Sequence, residues 1–291
     1  MRGFFKKVRE YLSLVKFSHT VFAMPFALLG FFTGTTRASG GFSGRLLLLV
    51  ILCMVFARNA AMGFNRFADK KVDALNPRTA RREIPAGKIS PASALIFVVV
   101  NSVLFMICAG LINRLTMLLS PVALIVILGY SLTKRFTSFS HIFLGLSLSL
   151  SPVGAYIAVT GQFDMLPVLY GIIVLTWVGG FDIIYSVQDE AFDRSNNLFS
   201  IPARLGPDGA LTLSRILHLF SVATIFAAGI IGGKGLIYYT GAVLFLFMLL
   251  IEHILVRPDD NRRINIAFAT VNSFAGLIFS SFAIADIYIP L

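Results

Sequence analysis

The chain has 291 residues, of which 57% are hydrophobic and 13% charged, with a mean hydropathy of +0.83. Soluble domains carry roughly 25% charged residues, so the composition excludes an ordinary soluble domain and indicates an integral membrane protein. The net charge of +11 does not point to nucleic acid, because the basic residues sit in short loops between apolar runs of about 20 residues, the length of a membrane-spanning helix.

Residues 1–16 place Arg2, Lys6, Lys7, Arg9 and Lys16 among Phe4, Phe5, Val8, Tyr11, Leu12 and Val15. That is the pattern of a basic amphipathic helix lying on an anionic membrane surface. A secretory signal is the competing reading, but no small-residue cleavage site follows, so the segment is read as mature protein. Nine spans are expected next, at 18–36, 44–67, 91–111, 114–132, 139–159, 166–188, 209–232, 235–255 and 265–287. The fold class is therefore an all-α bundle of nine transmembrane helices, one domain over residues 1–291. With the N-terminus in the cytoplasm, twenty Lys and Arg fall on the cytoplasmic side and four (Arg37, Arg45, Arg114, Lys234) on the other, with Arg58 inside a span. This bias sets the orientation in an inner (cytoplasmic) membrane. The long cytoplasmic segments 68–90 and 189–208 are expected to form a cap over an anionic ligand; the alternative is a pair of solvated loops that serve topology alone.

The second span runs into Asn65-x-x-x-Asp69-x-x-x-Asp73. On a continuous helix Asp69 and Asp73 share one face, with Asn65 a turn earlier. Like charges at that spacing repel, and a divalent cation would reverse the penalty. Magnesium takes one or two carboxylates and completes its shell with water and phosphate oxygens. A solvated charged turn is the plainer reading for one such pair. A second copy ends the sixth span, Asp182-x-x-Tyr185-x-x-x-Asp189-x-x-x-Asp193. The two motifs lie four helices apart and emerge on the same side, which suggests an internal repeat and a two-site clamp for Mg2+ on Asp69, Asp73, Asp189 and Asp193.

Arg58 and Asp182 lie inside spans, where an ionisable group costs roughly 2.5–3.5 kcal/mol and function is the default reading. Arg58 is seven residues before Asn65, on the same face and about 10 Å deeper. Two readings stand: Arg58 forks a ligand carboxylate, or it pairs with Asp182. Cys53 and Cys108 read as packing residues, and His19, His141, His218 and His253 share no spacing that suggests zinc. No Gly-x-Ser-x-Gly elbow, phosphate loop or dinucleotide fingerprint is present.

The first motif, followed by Arg81-Arg82-x-x-Pro85-x-Gly87, resembles the first signature of the UbiA superfamily of membrane aromatic prenyltransferases. The stretch Tyr130-Ser-Leu-Thr-Lys134-Arg135-x-Thr137 resembles that family's basic loop after the fourth helix, and the Asp182–Asp193 motif its second signature. The segments Lys16-Phe-Ser-His-Thr20, Asn76-Pro77-Arg78-Thr79-Ala80 and Ser200-Ile-Pro-Ala-Arg204 are similar to those of 4-hydroxybenzoate polyprenyltransferases, including a bacterial group associated with the futalosine route to menaquinone. Arg66 departs from the pattern, standing where many relatives carry an aspartate.

The resemblance implies a cap over a central cavity and magnesium-dependent transfer of a polyprenyl group from its diphosphate to a hydroxyaromatic acid in quinone biosynthesis. The acceptor it implies is 4-hydroxybenzoate, or alternatively a dihydroxynaphthoate. Lys134, Arg135, Arg66, Arg81, Arg82 and Asn65 would contact the diphosphate or its metal; topology alone is the other reading of Lys134 and Arg135. Arg58 would bind the acceptor. Asp189, Asp182 and Tyr185 form the expected catalytic set: Asp189 to orient the acceptor hydroxyl or serve magnesium only, Tyr185 to face the allylic cation or simply pack. The expected partners are these two substrates and the bilayer, with no nucleic acid and no obligate protein partner. From other classes, an ion-coupled transporter would need polar groups through both leaflets, whereas the acids other than Asp286 cluster toward the cytoplasmic half. A CDP-alcohol phosphotransferase would need an Asp-Gly-x-x-Ala-Arg pattern that neither motif contains.

Overall fold

A computed structural model of the chain describes residues 7, 10–15, 23–38, 40–257 and 260–289. In chain order its helices are α1 (Met24–Thr35), α2 (Gly44–Ala68), α3 (Lys70–Leu75), α4 (Pro91–Ile112), α5 (Arg114–Thr133), α6 (Ser140–Thr160), α7 (Met165–Ser186), α8 (Glu190–Ser195), α9 (Ile201–Ile231), α10 (Leu236–Leu255), α11 (Asn261–Ile266) and α12 (Asn272–Tyr288). Among the described residues, eight helical runs are long and apolar enough to cross a bilayer, and they coincide with eight of the nine expected spans. The first expected span is represented by α1, and its residues 18–22 lie outside the described ones.

Local chemistry sets the helix starts. Ser43, Ser90, Asn113, Asp164 and Ser200 each accept a backbone N–H of their own first turn, and such a cap is worth about 1 kcal/mol. Pro91 and Pro202 occupy first-turn positions, where a missing N–H costs nothing. The outer faces are bare hydrocarbon, with Ile125, Ile230 and Ile254 more than 70% exposed, as a lipid-facing surface requires.

Small residues let the helices approach. At Gly145 of α6 an added Cβ would lie 2.3 Å from the Leu175 carbonyl oxygen and 3.3 Å from the Gly179 nitrogen of α7. That close crossing is the intramembrane packing mode of small residues. Farther along α7, Trp177 is fully buried and donates to Asn272 Oδ1 at 2.8 Å; Asn272 in turn donates to Glu252 Oε1 at 2.6 Å. With the His218–His253 contact at 3.0 Å, this network ties α7, α9, α10 and α12 together. Glu252 is an intramembrane acid that the sequence analysis did not single out.

Two expectations need correction, and a third is covered only in part. Helix α2 does not continue through the first motif: Asp69 takes φ −88°, ψ 4° and α3 starts afresh at Lys70. The second motif breaks likewise, with a 3-10 turn at Val187–Asp189 and Asp189 at φ −102°, ψ 1°. Both acids adopt the sparsely used bridge region, so each Asp-x-x-x-Asp pair spans a bend instead of one helix face. Second, the expected 189–208 loop contains a helical turn, residues 201–205, which non-helical Gly206 (φ 72°, ψ 170°) separates from the seventh span resuming at Pro207. Third, only residues 7 and 10–15 of the expected surface helix are described. Leu14 and Val15 there are buried, Leu14 packs with Ile84, Ile89 and Ala94, and Tyr11 lies 4.9 Å from Phe97. This part packs Tyr11, Leu14 and Val15 against protein and leaves Leu12 exposed.

Candidate active site

The breaks after α2 and α7 turn both acidic motifs into one cavity of about 140 Å³, lined by Asp69, Asp73, Asp182, Asp189 and Asp193 together with Lys134. Residues 113 apart in sequence touch here: Asn76 donates to Asp189 Oδ1 at 3.2 Å. Arg78 forks the same carboxylate, Nε to Oδ1 at 2.9 Å and Nη2 to Oδ2, while its Nη1 donates to the Tyr185 hydroxyl at 2.8 Å. Arg82 donates to Asp73 Oδ1 at 2.6 Å. The segment after α3 thus straps both motifs, its turn closed by Gly87 at φ +69°, which suits glycine.

Lys134 is the central cation. Burial alone would lower its ammonium, but Asp193, Asp69, Asp182 and Asp189 more than reverse this and hold it above its ordinary value. Asp69 is held above the ordinary carboxylate range by burial, against the opposing pull of Lys134. The Lys134 carbonyl accepts the Phe199 N–H at 3.0 Å, which pins the segment after α8 to the rim.

The remaining predicted residues distribute around this centre. Asn65 donates to Asp69 Oδ2 at 3.2 Å. Arg66 is buried, and its Nη1 donates to the side-chain Oδ1 of Asn65 at 3.5 Å. Arg135 donates to the Ala68 carbonyl at 2.7 Å and so caps α2. Arg58, Arg66, Arg81, Arg82, Lys134, Asp182 and Tyr185 share a larger neighbouring cavity of about 560 Å³. The Tyr185 ring packs 4.2 Å from Phe268, which lies on a π-helical turn, Ala267–Val271; such turns recur at functional sites. Asp182 does have a side-chain partner, but it is His141, Nδ1 to Oδ2 at 2.8 Å. Beyond Arg58 and Tyr130 lies an apolar cavity of about 210 Å³, walled by α2, α5 and α6 residues such as Met54, Ile127 and Leu148.

Sequence reasoning missed three residues of this site. Arg78 and Asn76 were noticed only inside a resembling segment. His141 read as a lone histidine, although its place in the first turn of an apolar helix, on the side where the acids emerge, was a usable signal.

The donor set suits divalent cations. Among the described residues no three His, Cys, Asp or Glu side chains are gathered at ligand distance, yet Asp73 Oδ2 is buried without a hydrogen-bond partner. An orphaned anionic acceptor at that depth is costly, and a cation would relieve it. Asp69 and Asp73 on one side, and Asp189 and Asp193 on the other, supply hard oxygens of the kind magnesium prefers.

An all-helical membrane protein that gathers two sets of acids and a ring of cations at one rim, with an apolar cavity behind them, is a membrane-embedded enzyme of the prenyl-transferring class. Residues 23–277 match the profile of the UbiA prenyltransferase family, and the chain belongs to that family. It is 27% identical over 243 residues to the 4-hydroxybenzoate octaprenyltransferase of Nitrosomonas europaea, covering 84% of this chain and 83% of that one. The enzyme of the same name from Aliivibrio fischeri is 29% identical over 243 residues, covering 84% of each. Among solved structures, the apo form of a UbiA homolog from Aeropyrum pernix K1 superposes with a TM-score of 0.82 at 33% identity, over 92% of this chain and 98% of that one. A UbiA homolog from Archaeoglobus fulgidus, bound to DMAPP and Mg2+, shares the fold with a TM-score of 0.74 at 20% identity, over 96% of this chain and 99% of that one.

Proposed function

We propose that this enzyme transfers a polyprenyl group from polyprenyl diphosphate to the ring of a hydroxyaromatic acid, 4-hydroxybenzoate in the first instance, in quinone biosynthesis. The observation that carries the reading is the convergence of both acidic motifs on Lys134, next to an apolar cavity. The relatives named 4-hydroxybenzoate octaprenyltransferase support the acceptor class. The excess of basic residues on one side supports a multi-pass protein of the inner membrane with its N-terminus and active site in the cytoplasm, folded as one domain with segments 68–90 and 189–208 as its cap.

Asp69 and Asp73 would hold one magnesium ion, and Asp189 and Asp193 a second. Bound there, the metal would supply Lewis-acid neutralisation of the departing diphosphate. Lys134, Arg66, Arg81, Arg82 and Arg135 donate charge-assisted hydrogen bonds to the diphosphate oxygens. Arg78, which lies on Asp189 in this structure, joins them. The isoprenoid tail runs into the apolar cavity past Tyr130. Arg58, at the border of both cavities, forks the acceptor carboxylate.

Asp182 is the carboxylate best placed for the acceptor hydroxyl, because Asp189 would be taken by the metal whereas Asp182 faces both polar cavities. The ring carbon beside that hydroxyl bonds to the allylic carbon as the allylic C–O bond breaks, and its electron pair leaves with the diphosphate. The displaced ring proton passes to Asp182 as general base. Tyr185 turns its ring toward the developing allylic cation.

Membranes containing the chain, incubated with a polyprenyl diphosphate, Mg2+ and either 4-hydroxybenzoate or a dihydroxynaphthoate in parallel, test this reading. Prenylated 4-hydroxybenzoate is expected. Product only from the dihydroxynaphthoate would reassign the acceptor, and no product from any hydroxyaromatic acid would overturn the function.

A further inference from the structure

The Asp182 side chain is 21% exposed and lines both polar cavities. Its Oδ2 receives His141 Nδ1 at 2.8 Å, and its Oδ1 has no protein hydrogen-bond partner among the described residues. His141 itself is 1% exposed and lines the smaller, acidic cavity beside Asp182 and Ser186. A carboxylate only accepts hydrogen bonds, so the proton lies on Nδ1 and the bond fixes one carboxylate oxygen while the other faces the open site. On the far side of the ring, Nε2 sits 3.4 Å from Ser186 Oγ, whose own hydrogen goes to the Ile183 carbonyl at 2.8 Å. In the Nδ1–H tautomer Nε2 is an acceptor, and with the Ser186 hydrogen turned to Ile183 the ring is held through Nδ1.

The sequence builds this contact through helix crossing. His141 lies one turn before Gly145 on α6, and Asp182 lies three residues after Gly179 on α7. Gly145 and Gly179 mark the place where the two backbones meet. Close approach at the glycines brings the next turn of each helix, with His141 and Asp182, into hydrogen-bond range. Gly180 adjoins His218 of α9, not His141 of α6, so the two buried histidines that pack on α7 serve separate networks.

We propose that His141 is a positioning residue for Asp182: it locks the carboxylate's orientation so that the free oxygen meets the acceptor. This rests on the proposed function, in which Asp182 serves the acceptor. In this proposal His141 acts through its hydrogen bond to Asp182 and not on either substrate. Misplacing a catalytic group by about 1 Å can cost about 100-fold in rate, which sets the scale.

The test compares the full chain in detergent or nanodiscs with His141→Leu, His141→Asn, Asp182→Asn and the double variant His141→Leu/Asp182→Asn. His141→Leu is expected to lower kcat about 10- to 100-fold with the KM for prenyl diphosphate unchanged. His141→Asn, which keeps an N–H near the place of Nδ1, is expected to recover most of that loss. The double variant should be no slower than Asp182→Asn alone, since the histidine acts only through the carboxylate. Wild-type kcat in His141→Leu, equal losses in the Leu and Asn variants, or losses that multiply in the double variant would each overturn the proposal. Nitrogen-15 histidine NMR gives a readout independent of turnover, with the His141 signal identified by its absence from His141→Leu. A protonated Nδ1 whose signal moves in Asp182→Asn is expected, and a protonated Nε2 with no response would overturn it. A wild-type chain that prenylates no hydroxyaromatic acid would sink the functional reading, and the NMR signal then decides the hold of His141 on Asp182 by itself.

Discussion

Arg78 occupies the place on Asp189 that a metal ion would need. Its fork donates twice to that carboxylate and once to Tyr185, with Arg78 32% exposed and Asp189 13%. A hydrogen bond to a charged group contributes about 1.5–3 kcal/mol. Solvent screening at a side chain one-third exposed lowers the fork to about 1–2 kcal/mol. A cation that takes Asp189 must displace this grip, so Arg78→Met removes a competitor while keeping an apolar stem of similar length. Metal affinity in the absence of prenyl diphosphate is expected to rise roughly 5- to 30-fold. Manganese, which is paramagnetic and accepts the same oxygen ligands, allows the titration by EPR on the detergent-solubilised chain. Turnover should fall in the same variant, because the diphosphate loses a donor. The metal-free variant should also unfold at lower temperature and recover when manganese is added, since Asp189 is left without its counter-charge until the ion arrives. A folded Arg78→Met protein with unchanged or weaker manganese binding would show that Asp189 does not ligate the metal.

Asp69→Ala and Asp193→Ala should each abolish turnover while the chain still inserts and unfolds cooperatively; a near wild-type rate in either would remove that carboxylate from the mechanism. Arg58→Lys should raise the acceptor KM about tenfold, since an ammonium cannot reproduce a bidentate fork, and an unchanged KM would exclude Arg58 from acceptor binding. Asp69→Asn should stabilise the metal-free protein at neutral pH even as it removes activity. Burial holds the Asp69 carboxyl above its ordinary value, so the native state binds that proton more tightly than the unfolded state does. The ionised form then costs stability as pH rises from the ordinary carboxylate pKa of about 3.9 through the raised one, and the full cost persists above it. Thermal unfolding of both proteins across that range checks the sign, and a lower Tm for Asp69→Asn at neutral pH would refute it.

The spanning helices were legible because each is a long apolar run that only a bilayer accommodates. The two acidic motifs were legible because carboxylates at the ends of apolar runs have few other uses. The bends at Asp69 and Asp189 were not, because the Asp-x-x-x-Asp spacing reads equally well as continuous helix, and only tertiary contacts turn each acid into the bridge region. The role of Arg78 was hidden for a similar reason. Its partner Asp189 is 111 residues away, and nothing local separates it from the six other basic residues between Arg66 and Lys88. His141 depends on the Gly145–Gly179 crossing, a property of two helices that neither sequence displays alone. Glu252 was overlooked because its partners, Asn272 and His218, come from two other helices.

The internal repeat suggested by the motifs acquires a physical meaning at the rim. Asp69 and Asp189 share nearly the same backbone conformation, and each is followed by a six-residue helix, Lys70–Leu75 or Glu190–Ser195. Such conformations persist only where the surroundings over-determine them, and here one strap does so for both copies: Arg82 returns to Asp73 of its own motif, while Arg78 crosses to Asp189 of the other. Asp69, Asp73, Asp189 and Asp193 would repel one another if left bare, and Lys134, Arg66, Arg78 and Arg82 offset them charge for charge. A rim so balanced gains little from a free diphosphate, which must push past the carboxylates, or from a free divalent cation, which must push past the arginines. The two together present each set of side chains with its counter-charge at once. Under the proposed function, charge balance would therefore favour the metal–diphosphate unit over either component, and the arginines released from the carboxylates would become the donors that hold it.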